Sequence, residues 1–76
     1  MAQEIVEIPI PGKITSINVE VGDVVKEGDT LCILESMKME NPILAPIAGT
    51  IIKIGLSPGQ AVEAGELLAI IEYQAG

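Results

Sequence analysis

Apolar and polar positions alternate along this chain in short runs broken by glycine and proline. In residues 17–21 (INVEV), Ile17, Val19 and Val21 alternate with Asn18 and Glu20, the period of a half-buried strand. Residues 30–35 (TLCILE) and 67–72 (LLAIIE) are short aliphatic runs that follow a glycine-containing turn. Their length and those turns predict buried strands rather than helices. Residues 21–29 (VGDVVKEGD) carry glycines that can take positive φ without steric cost, and their counterpart at 58–66 (PGQAVEAGE) begins with the turn dipeptide Pro58-Gly59. Pro9, Pro11, Pro42, Pro46 and Pro58 would interrupt any longer helix.

The pattern also repeats. An offset of 37 residues carries Gly12 onto Gly49, Ile14 onto Ile51, Ile17 onto Ile54, Gly22 onto Gly59 and Val25 onto Val62. It continues through Gly28 and Gly65, Leu31 and Leu68, Ile33 and Ile70, and Glu35 and Glu72, and it also pairs Pro9 with Pro46. One register of glycines, prolines and aliphatics predicts two equivalent halves, about residues 8–36 and 45–73, within a single domain spanning 1–76. Two copies are too few for a stacked solenoid. The expected architecture is all-β: a flattened barrel or sandwich in which the halves supply two small antiparallel sheets around one core, related by a pseudo-two-fold axis. The same offset carries Lys38 onto Ala75, so the axis is expected to place Lys38 and the C-terminus at opposite ends.

Composition narrows the picture. At 76 residues the core is small, and with no Phe or Trp and only Tyr73 aromatic it must be built from Ile, Val, Leu and Ala. Cys32 is the single cysteine and there is no histidine, which leaves neither an intrachain disulfide nor the usual ligands of a structural zinc. A net charge of −7, without arginine, argues against nucleic acid and anionic membrane and serves solubility. Residues 1–10 lack the basic start of a signal peptide, and the apolar stretch 42–52 is too short and too broken by Pro46 and Gly49 to span a bilayer. A free cysteine without an export signal points to the cytoplasm.

Catalytic parts are scarce. No histidine can serve as a general base, Ser16, Ser36 and Ser57 lack triad partners, and neither phosphate-binding glycine motif occurs. The chain is therefore not expected to be an enzyme by itself. Cys32 reads as a small strand hydrophobe.

Residues 34–42 (LESMKMENP) lie at the hinge of the repeat, where the chain must reverse near Met37-Lys38. Neither residue is a usual former of the primed turns that close hairpins. Such disagreement between local sequence and turn geometry concentrates at functional sites. A tip lysine is ordinarily a solvated charge, and methionines are ordinarily core filler. At a tip, though, Met37 and Met39 would be at least partly exposed, where a flexible thioether suits an adaptable contact.

Glu35-Ser36-Met37-Lys38-Met39-Glu40, followed by Ala45-Pro46 and Gly49 and set between two similar half-sequences, resembles the biotinyl (biotin carboxyl carrier) domains. The resemblance runs from about residue 8 to residue 72. The chain departs from the family pattern in two places: Ser36 stands where alanine is commonest, and the first half has no room for the protruding thumb loop of some members. The resemblance implies that biotin is joined to Lys38 through an amide. It further implies that Met37 and Met39, with Ser36 and Glu35 beside them, are read by a biotin protein ligase. The attached biotin would then carry a carboxyl group between biotin carboxylase and carboxyltransferase sites, the protein supplying a tether and the cofactor the chemistry. The acyl substrate would belong to the partner carboxyltransferase. Two alternatives stand beside this reading. A lipoyl carrier would share the fold, but usually has an acidic residue before its lysine and a small one after it. A non-enzymatic assembly module would use the hairpin only as a contact surface and leave Lys38 unmodified.

Overall fold

The computed structural model describes residues 1–75. Its strands are β1 (Ala2–Glu7), β2 (Gly12–Ile17), β3 (Val24–Val25), β4 (Thr30–Ser36), β5 (Met39–Leu44), β6 (Gly49–Ile54), β7 (Ala61–Val62) and β8 (Leu67–Tyr73), with no helix among the described residues. One sheet has the order β1-β8-β6-β3 and the other β5-β4-β2-β7, and all the pairings are antiparallel. This is the expected flattened barrel-sandwich.

The two aliphatic runs become β4 and β8, and each contains a bulge. Thr30 pairs with Leu44 and Cys32 with Ile43, which leaves Leu31 as an extra residue, and Leu68 is the extra residue between the Val6–Ala69 and Glu7–Leu67 pairs. An extra residue breaks strict alternation, so two consecutive side chains can turn inward. Leu31 and Cys32 do so, as do Leu68 and Ala69. With Ile8, Ile14, Leu34, Ile51 and Ile71 they form the center of an aliphatic core that contains no buried polar or charged residue among those described.

The offset of 37 extends into the hydrogen bonding. Ile8 N–H donates to the Glu66 carbonyl at 2.9 Å, as Ala45 N–H does to that of Asp29 at 2.8 Å. Gly22 N–H donates to the Ile51 carbonyl and Gly59 N–H to that of Ile14. Gly12 and Gly49 are equivalent for a steric reason: a Cβ on Gly12 would collide with the Glu35 carbonyl oxygen, and one on Gly49 with that of Glu72.

Two sequence expectations need correction. The halves do not each supply a sheet: β3 of the first half, with β1 from the residues before it, shares a sheet with β6 and β8 of the second. The chain changes sheets at every connection except β4–β5, the one place where successive strands pair as a hairpin. Residues 17–21 are not one strand either. β2 ends at Ile17, Asn18 N–H donates to the Leu31 carbonyl at 2.8 Å, and the chain then leaves the sheet. The Asp23 carboxylate accepts the Glu20 N–H at 2.9 Å, Gly22 takes φ 99°, and Val21 is left exposed in the turn. Apolar alternation across this stretch therefore marks a crossing between sheets, with Val19 packed against the core.

The molecule measures 39 × 18 × 17 Å. Ser36 pairs with Met39 at one end. From there β5 runs toward Leu44 and the chain continues to Gly49, next to the Thr50–Glu72 pair. Ala2 and Tyr73 pair at that far end, with Ala75 just beyond and exposed, so Lys38 lies at the opposite end from the last described residues, and the C-terminal Gly76 itself lies outside them.

Candidate functional site: the Lys38 hairpin

β4 and β5 are held in register by the pairs Ile33–Pro42, Leu34–Asn41, Glu35–Glu40 and Ser36–Met39, which leaves Met37 and Lys38 as a two-residue loop. A loop this short must twist with its strands, and the backbone that does so has positive φ at both central residues. Met37 has φ 54° and Lys38 φ 65°, the only non-glycine residues in this region among those described. The left-handed conformation costs an L-residue about 1–2 kcal/mol. The barrel forces that cost on the loop, since register on both flanks is fixed by buried Leu34 and the β5 ladder.

Side chains brace the loop from both sides. The Ser36 hydroxyl donates to the Pro11 carbonyl at 2.9 Å and ties β4 to the segment before β2. Asn41 Nδ2 donates to the carbonyls of Met39 at 3.2 Å and Leu34 at 3.4 Å. In the ladder Glu35 is registered with Glu40 on one flank and Lys13 on the other.

Above this base the tip is open. Met37 is 90% exposed and Met39 65%, and Lys38 is exposed between them. An open groove of about 710 Å³ runs between the hairpin and the segment before β2, walled by Ile10, Pro11, Lys13, Glu35, Met37 and Lys38. The arrangement presents one primary amine on a flexible stem, set between thioethers and held on a fixed turn. An accessible primary amine of this kind is a nucleophile toward activated carbonyl groups.

The sequence-based site residues Glu35, Ser36, Met37, Lys38 and Met39 all fall in this one hairpin. Pro11 and Asn41 were missed. Ser36 and Pro11 lie 25 positions apart, and only the fold brings them together. Cys32 is remote from the site: it is fully buried in β4, and burial pushes its thiol up to about 11. Among the described residues no cluster of three His, Cys, Asp or Glu side chains could hold a metal ion. No helix among them is long and apolar enough to cross a membrane.

The chain matches the biotin/lipoyl family, described as biotin-requiring enzyme, over residues 4–71. It is 57% identical over 42 residues to the gamma subunit of methylmalonyl-CoA decarboxylase from Veillonella parvula, covering 55% of this chain and 33% of that one. It is 59% identical over 39 residues to the gamma subunit of glutaconyl-CoA decarboxylase from Acidaminococcus fermentans, covering 51% and 27%. The chain thus spans a third or less of the length of these relatives. Among solved structures, Kluyveromyces lactis urea carboxylase aligns with TM-score 0.87 and 35% identity over 95% of this chain and 6% of that one. A single-chain, multi-domain long-chain acyl-CoA carboxylase aligns with TM-score 0.88 and 25% identity, covering 95% and 7%.

Proposed function

This chain belongs to the biotin/lipoyl family, and on that premise we propose that it is the biotin carboxyl carrier component of a biotin-dependent carboxylase or decarboxylase, with biotin attached to Lys38. The observation that supports this most is the hairpin tip: a single exposed lysine between two exposed methionines, on a turn the barrel holds in an unfavourable conformation. The named relatives, gamma subunits of two acyl-CoA decarboxylases, support the same assignment.

Each part of the chain has a role in this reading. Ser36 and Asn41 fix the base of the turn, and the positive φ values of Met37 and Lys38 close the loop between paired strands. Met37 and Met39 give a biotin protein ligase a polarizable contact that adapts to its pocket. The Lys38 amine attacks the activated carboxyl carbon of biotin on that ligase. A C–N amide bond forms, the bond to the activating group breaks, and the amine proton passes to the ligase. Biotin, once attached, supplies the chemistry of accepting a carboxyl group at one catalytic site and releasing it at another. The barrel contributes no catalytic group. It acts as a stiff anchor that keeps the arm at high effective concentration near both sites. Those sites belong to biotin carboxylase and carboxyltransferase partners, and a cytoplasmic address is part of the same proposal.

The test is intact mass after co-expression with an active biotin ligase, beside Lys38→Ala. One gain of biotin less water, absent from the variant, is the expected result. An unmodified chain overturns the proposal, and a gain of lipoate replaces it with the lipoyl reading.

A further inference from the structure

We propose that the biotin protein ligase reads a composite surface, made of the Met37-Lys38 tip together with Ile10 and Pro11 across the open groove between them. This rests on the reading of Lys38 as the acylated residue.

The lysine amine sits at the end of a stem of only four carbons. A catalytic site that acylates Lys38 must therefore come directly against the hairpin. Lys38 itself lines the groove, so the opposite wall of Ile10 and Pro11 falls inside the footprint of any protein that close. Partners acting after acylation differ, because the arm is then longer by the whole biotin side chain and they can work at a distance from the wall.

The internal symmetry is broken at this wall. Ile10 is a large aliphatic left 40% exposed. Its counterpart under the offset, Ile47, packs against the core. Pro11 corresponds to Ala48, and Met37 to Gln74. The fold accommodates a packed isoleucine at this position in one half and leaves it open in the other, on the side where the lysine is.

The bond from Ser36 to Pro11 ties the two walls together at the base of the hairpin. A preformed surface loses less freedom on binding than two independent segments would. Lys13 and Glu35 form a polar rim around the apolar floor, the usual layout of a recognition surface.

The test compares initial rates of biotin addition to purified unmodified protein under limiting ligase, followed by intact mass. Ile10→Ser is expected to lower kcat/KM about tenfold, with kcat at saturating acceptor retained. Val24→Ser is the control: Val24 is 79% exposed on β3, which pairs with the start of β6 toward the opposite end, and this variant should be charged at the unaltered rate. Wild-type rates for Ile10→Ser overturn the proposal. So does equal slowing of both variants, which marks general destabilization. If the unaltered protein gains no biotin, it is the assignment of Lys38 that fails, a result separate from any difference between variants.

Discussion

The two ends of the barrel are built alike and used differently. At one end β4 and β5 meet at the Ser36–Met39 pair, and at the other β8 and β1 meet at Tyr73–Ala2, the same register shifted by the offset of 37. Bulges, crossing hydrogen bonds and core residues are common to both halves. The hairpin end adds positive φ on Met37 and Lys38, the Ser36–Pro11 bond, the Asn41 brace and exposed Ile10, Met37 and Met39. The positive φ belongs to the loop that joins β4 to β5, a connection the β8–β1 pair does not have. The Ser36–Pro11 bond, the Asn41 brace and the exposed methionines have no equivalent among the described residues at the far end, which makes the same ladder without them. The internal repeat thus acts as a control for everything but the turn itself, and what the far end lacks marks the candidate site.

The strongest way to break this comparison is at the glycines both halves share. A methyl group at residue 12 or 49 would overlap a carbonyl oxygen of the paired strand, which can move only with the sheet. Gly12→Ala and Gly49→Ala should each lose about 3 kcal/mol or more in urea unfolding, at the upper end of what overpacking costs. A loss below 1 kcal/mol at either position would remove the steric reason for the repeat. The pair also separates fold from site. Per folded molecule, Gly12→Ala should slow biotin addition, because residue 12 adjoins the hairpin base, and Gly49→Ala should leave the rate unchanged.

How much of this could be read from the chain depended on the range of the interaction. β4 and β8 were legible because burial of a strand is written in adjacent residues. The Lys38 turn was legible because the repeat fixed its place at the hinge. The mixing of halves within each sheet was not, since an offset establishes which strands are equivalent but not which copy each one pairs with. β1 and β5 share no residue at equivalent positions, AQEIVE against MENPIL, so only their register shows that they correspond. The stretch 17–21 misled because alternation says which residues face inward and not which sheet they face from. Ser36 could be named as small and near the lysine, but its bond to Pro11 depends on the path of both sheets.

A second test lies in the core, where Cys32 of one half corresponds to Ala69 of the other, both buried. Burial favours the protonated thiol in the folded state, lifting its pKa from 9.0 to about 11. Below pH 9 the thiol is protonated in both states and contributes no pH dependence. Between about pH 9 and 11 only the unfolded chain releases the proton, so stability falls as pH rises. The loss should approach roughly 2–3 kcal/mol, each unit being worth about 1.4 kcal/mol. Cys32→Ala makes the halves alike at this position and should remove that part of the alkaline decline. Urea midpoints at pH 8 and pH 10.5 for both proteins measure it, and parallel declines would show that the thiol is not the source.

The smallest expected effect sharpens the comparison most. Met37 holds a left-handed conformation that asparagine tolerates and that hairpins of this type favour it for. Met37→Asn should therefore stabilize the protein by about 0.5–1 kcal/mol, part of the cost of a left-handed L-residue, while charging by the ligase becomes slower. Gln74→Asn, the equivalent change at the far end, should do neither, because residue 74 lies beyond the last strand and closes no turn. Opposite signs for stability and charging at residue 37 would mean that methionine is kept there against the preference of its own backbone. A destabilizing Met37→Asn would mean instead that the thioether supports the fold, and the two ends would then differ in structure as well as in use.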